Sequence, residues 1–222
     1  DAQDHVWIVH RPGALNAKEI YAAQNPPAAI CCTPAPPVLE FDAAGNLINS
    51  WGGPPTDPNA GYKWPASNHG ITVAPDGNIW LGGNGAYQPM PPPGSAAQFS
   101  APPNVVPPLY AGGGVGQYHD SFILKFTPDG KYLGQIGKAN ASKGSLDTEN
   151  VRGVAQIRLL PQTNEIVLAD GYGNKRVSVW DAATLKLVRE LEFSFDSLFG
   201  GSFSPDGKRF AVGAADNSVR II

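Results

Sequence analysis

Three stretches of this 222-residue chain set Pro-Asp-Gly between two short apolar runs: His69-Gly-Ile-Thr-Val-Ala-Pro-Asp-Gly-Asn-Ile-Trp-Leu, Phe122-Ile-Leu-Lys-Phe-Thr-Pro-Asp-Gly-Lys-Tyr-Leu and Gly201-Ser-Phe-Ser-Pro-Asp-Gly-Lys-Arg-Phe-Ala-Val. Proline presets φ for a turn, aspartate bonds its own backbone, and glycine takes the positive φ that reverses the chain. Each stretch therefore predicts a β-hairpin. Phe41-Asp-Ala-Ala-Gly-Asn-Leu-Ile and Trp180-Asp-Ala-Ala-Thr-Leu-Lys-Leu-Val repeat the idea with other turn residues. Such repetition constrains the fold before any single residue does.

Laid end to end, the predicted strands fall into groups of four. One group is 70–74, 78–82, 121–127 and 131–136; the next is 153–160, 165–170, 176–181 and 185–191. A first group, 5–10, 37–42 and 46–51, lacks its opening strand, and a last group, 200–204, 209–213 and 218–222, lacks its closing strand. This pattern predicts an all-β fold, a β-propeller of four-stranded antiparallel blades, with residues 1–222 forming a single domain. The chain carries about three and a half blades where propellers have four to eight, so we expect part of a six-bladed propeller with blades beyond this chain. Helical periodicity is confined to a turn near Ala14 to Ala23.

Composition agrees. With 26 glycines and 22 prolines, 42% hydrophobic and 16% charged residues, the chain is too apolar for disorder and too punctuated for a helical bundle. A net charge of −3 offers phosphates no basic field, which argues against nucleic acid as a partner. No apolar run reaches the roughly 18 residues of a membrane span. The first residue is Asp1 rather than Met, so a processed, trimmed or partial chain is expected.

Two insertions interrupt the strands, at 12–37 and 83–120, the second containing Pro89-Met-Pro-Pro-Pro-Gly and Gly112-Gly-Gly-Val-Gly. Loops of this length act as lids, contact partners or stay mobile. Both leave the same edge of neighbouring blades and are expected on one face, over a channel mouth or against a partner protein. Cys31 and Cys32 are the only cysteines, so within the chain they bridge each other or remain thiols.

Ile8-Val-His-Arg-Pro-Gly, Asn68-His-Gly-Ile-Thr-Val-Ala-Pro-Asp-Gly-Asn-Ile-Trp-Leu and Ala169-Asp-Gly-Tyr-Gly-Asn-Lys-Arg-Val, in that order and with blade-like spacing, resemble the NHL-repeat propellers that include the peptidyl-α-hydroxyglycine α-amidating lyases and their bacterial relatives. The resemblance spans roughly residues 1–192. It implies a metal-dependent lyase cleaving a C–N bond in a small-molecule or peptide substrate that bears a carboxylate. By the same likeness His69 is a zinc ligand, Arg11 polarises substrate and Tyr172 completes the site. The family's second and third ligand histidines have no counterpart, since no histidine follows Tyr172. Zinc is the implied cofactor, and calcium could be held in a propeller channel by backbone carbonyls. The likeness, with the low lysine and turn-rich composition, also implies a secreted or periplasmic location.

The chemistry can be stated apart from the family. A tyrosine serves as a base where a metal or arginine beside it stabilises the phenolate, and arginine's planar fork suits a carboxylate. The competing expectation is a non-catalytic NHL or WD-type scaffold. In it His69 makes an interblade hydrogen bond, Arg11 an interblade salt bridge, and Tyr172 belongs to the repeat signature with Asp170, Asn174 and Arg176. His5 is expected to be exposed, and His119-Asp120 to hold metal only opportunistically. Trp7, Trp51, Trp80 and Trp180 are expected to pack between blades, whereas Trp64 beside Tyr62 is expected at the channel mouth.

Overall fold

The hairpins fall where the turn residues put them. In the computed structural model, which describes residues 1–85, 120–193 and 197–221, Gly77, Gly130 and Gly207 of the Pro-Asp-Gly turns have φ of +82°, +84° and +70°. These values lie in the left-handed region that glycine enters without a Cβ penalty. Asp76 Oδ1 accepts the Asn78 amide at 3.1 Å, and Asp206 Oδ1 accepts that of Lys208 at 3.1 Å. The side chain thus closes the turn that glycine permits.

The strands are β1 (Val6–Val9), β2 (Val38–Phe41), β3 (Leu47–Trp51), β4 (Asn68–Val73), β5 (Ile79–Gly83), β6 (Phe122–Phe126), β7 (Tyr132–Gly137), β8 (Gln156–Leu160), β9 (Glu165–Asp170), β10 (Arg176–Asp181), β11 (Leu187–Phe193), β12 (Leu198–Phe203), β13 (Phe210–Ala214) and β14 (Val219–Ile221). They form four antiparallel sheets, ordered β1-β2-β3, β4-β5-β6-β7, β8-β9-β10-β11 and β12-β13-β14. Register shows how the short sheets relate to the full ones. Val6 pairs with Phe41 as Ile79 pairs with Phe126, so β1 corresponds to β5. Among the described residues the first sheet has no counterpart of β4, and the fourth has none of β7. The first strands of successive sheets adjoin: β4 packs on β8, β8 on β12, and β1 lies against β4.

The central strands of the full sheets are buried on both faces, and their period of two sends alternate residues into different cores. On β5, Ile79 and Leu81 enter a cluster with Phe122, Leu124 and Phe126, against which Trp7 and Trp51 pack; Trp80 turns the other way. Trp80 joins Ile123, Val154, Ile157, Ile166, Leu168 and Trp180 between the second and third sheets. Val167, Val177 and Val179 face Leu198, Phe210 and Val212 between the third and fourth. The four tryptophans therefore pack between sheets as expected.

Trp64 does not stand at an opening. Trp64 is buried with Phe126, ring centroids 5.9 Å apart, and Tyr62 stacks on Tyr132 at 4.8 Å. The segment before β4 carries two aromatics too large to leave in water beside an apolar intersheet seam. The first insertion contains three 3-10 turns, Pro12–Ala14, Ala17–Glu19 and Tyr21–Ala23, and its Cys31 and Cys32 are bridged to each other. The second, with its proline and glycine runs, lies mostly outside the described residues, as does His119.

Candidate functional site

His69, the second residue of β4, is fixed through both ring nitrogens. Nδ1 lies 3.0 Å from the carbonyl of Ala155, and Nε2 lies 2.9 Å from the Tyr172 hydroxyl. A backbone carbonyl only accepts, so Nδ1 carries the proton and Nε2 is the bare nitrogen that accepts the Tyr172 O–H. Burial holds the His69 imidazole below the ordinary histidine value of 6.5, and the nearby Arg11 charge pushes the same way, against the raising effect of the Ala155 bond. The ring is therefore neutral near pH 7.

Arg11 reaches this place from the end of β1. Its Nε donates to the Asn68 carbonyl at 2.7 Å, and the Asn68 side-chain amide donates back to the His10 carbonyl at 2.7 Å. This reciprocal pair ties the exit of β1 to the start of β4. Among the described residues, the terminal nitrogens of Arg11 make no hydrogen bond or ion pair. The buried Asn68 Oδ1 likewise has no partner.

Tyr172 sits in the turn between β9 and β10, and that turn is clamped from below. Asp170, wholly buried, accepts the Arg152 amide at 2.7 Å, Asn174 Nδ2 at 2.7 Å and Arg176 Nε at 2.8 Å. Arg176, equally buried, also donates to the carbonyls of Ser145 and Asn150 and to the Glu190 carboxylate. The Tyr172 and Gly173 amides donate to the carbonyls of Gly153 and Arg152. The ring then stands edge-on to His69 at 5.2 Å and against Phe199 of β12 at 5.7 Å.

The three residues singled out from sequence are thus brought together from the first, second and third sheets. Sequence reasoning missed Asn68, the Ala155 carbonyl and Phe199. Asn68 stood beside a chosen residue, but a backbone carbonyl and an aromatic on another sheet leave no local signal. Asp120 is positioned differently from a ligand: its buried carboxylate accepts the amides of Ala66, Ser67 and Gly85 at 2.8, 3.1 and 2.6 Å, which fixes the entry of β4. No family model and no curated protein matches this chain.

A zinc centre of the expected kind needs three protein ligands. Among the described residues, no set of three converging His, Cys, Asp or Glu side chains includes His69. Nε2 is held by Tyr172, and the neighbouring charge is a guanidinium, which repels a cation. The residues present do not fit zinc at this place, and acid–base chemistry between side chains is what they arrange.

Proposed function

We propose that the four sheets are blades of an NHL-type β-propeller resembling the amidating lyases, and that Arg11, His69 and Tyr172 form an acid–base lyase site at its axis. The observation that carries this reading is the 2.9 Å contact between the Tyr172 hydroxyl and the bare nitrogen of a neutral His69, with the Arg11 fork beside it. The substrate is a small molecule or peptide ending in an α-hydroxyglycine. Arg11 binds the carboxylate. Tyr172 takes the substrate's hydroxyl proton while passing its own to His69. The carbinol carbon becomes a carbonyl, its C–N bond breaks, and the imidazolium returns the proton to the departing amide nitrogen. Atoms balance as one primary amide and one aldehyde acid. The Cys31–Cys32 bridge supports an exported location.

A second reading, a protein-binding scaffold, draws on the same contacts. His69 also links β4, the approach to β8 and the β9–β10 turn, a service that requires no substrate. Turnover of an N-acyl-α-hydroxyglycine, followed by aldehyde-acid release, separates the two. The lyase reading expects turnover that falls about 10²- to 10⁴-fold on Tyr172→Phe. Absence of turnover by the unsubstituted protein would leave the scaffold.

A further inference from the structure

Among the described residues, one set of three metal-ligating side chains converges: Asp1, His5 and Glu40, whose ligand atoms lie within 4.8 Å of one another. His5 precedes β1 and Arg11 follows it, so about six extended residues, or about 20 Å, separate this cluster from the His69 site. His5 Nδ1 is 2.8 Å from Glu40 Oε1 and 3.6 Å from Asp1 Oδ2. Two ligand atoms each about 2.1 Å from a tetrahedral ion stand about 3.4 Å apart, a value these two distances bracket.

The cluster is held before any ion arrives. Asp1 Oδ1 accepts the amides of Gln3 and His5, Asp1 Oδ2 accepts the Trp7 indole N–H at 2.9 Å, and Glu40 stands opposite Trp7 in the β1–β2 register. Fixed outer partners of this kind orient metal ligands. Two carboxylates face one imidazole nitrogen, which carries at most one proton, and the Asp1 ammonium donates to the His5 carbonyl at 3.2 Å. Among the described residues no lysine or arginine pairs with either carboxylate. Side-chain exposures of 10%, 12% and 25% for Asp1, Glu40 and His5 leave the groups partly desolvated yet reachable.

We infer that Asp1, His5 and Glu40 bind a divalent transition-metal ion, zinc by the preference of mixed imidazole and carboxylate ligands, with water in the remaining position. The ion neutralises both carboxylates and fastens the segment before β1 to β2. This site is independent of the lyase reading and survives its failure.

Zinc titration by equilibrium dialysis tests it, run on the unsubstituted protein and on His69→Ala. One equivalent bound by both, lost in His5→Ala and in the near-isosteric Glu40→Gln, is the expected result. Trp7→Phe removes the indole donor together with part of the ring packed between the first two sheets, and should weaken binding about 10- to 100-fold. Circular dichroism of the metal-free variants checks that each still folds. No zinc bound by His69→Ala, or binding indifferent to His5→Ala and Glu40→Gln, would overturn the assignment.

Discussion

The protonation state of His69 follows from where it lies. Burial and Arg11 lower its pKa below the ordinary 6.5, so between those two values the unfolded chain binds a proton that the folded chain does not. Stability therefore rises with pH through that window and is lost as pH falls through it, at up to about 1.4 kcal/mol per pH unit for one proton. The stability of the native protein relative to His69→Gln should shrink as pH is lowered from 7 through 6.5, measured by denaturant unfolding at each pH. Asp170 makes the opposite case, a carboxylate kept for structure. Asp170→Asn leaves the guanidinium of Arg176 in a dry site with only one of its two carboxylate partners, Glu190. Loss of about 3–5 kcal/mol is expected from the urea midpoint. Both histidine and aspartate were conspicuous in the sequence; which of them faces a reactive neighbour was not, because that depends on contacts between sheets.

At the scale of elements, turn chemistry made the strands readable. Proline, aspartate and glycine act within four residues, so the fourteen strands of the described residues lie close to their expected places, with ends displaced by up to a few residues. The Asp170-Gly171-Tyr172 turn shows what such local chemistry leaves out. A Cβ on Gly171 would strike the Leu198 carbonyl of β12, so this glycine is required by a strand nearly thirty residues away. Gly171→Ala should force β12 from the third sheet and cost about 1–3 kcal/mol of overpacking strain. It should also displace Phe199 from Tyr172, readable as a lowered melting temperature with altered near-ultraviolet circular dichroism. Trp64 was misplaced for the same reason in reverse. Its neighbourhood in sequence is polar and turn-rich, and the apolar seam that takes it is built by Phe126, with Tyr62 and Tyr132 packed alongside.

For the whole molecule, the gain from stacking sheets is that residues 11, 69 and 172 meet without belonging to a common hairpin. Alternate side chains of β5, β9 and β10 fill separate seams, which fixes the spacing between neighbouring sheets. The end of β1, the start of β4 and the β9–β10 turn then bring Arg11, His69 and Tyr172 together. Only the expectation that such strands line a shared region made this meeting foreseeable, and it could not reveal that Tyr172 occupies the Nε2 position a metal would need. The most direct test is 15N NMR of the His69 imidazole across pH. The expected result is a neutral ring protonated on Nδ1, titrating below 6.5, with its Nε2 resonance displaced by Tyr172→Phe. A ring protonated on Nε2, or one titrating at or above 6.5 and indifferent to Tyr172→Phe, would contradict it.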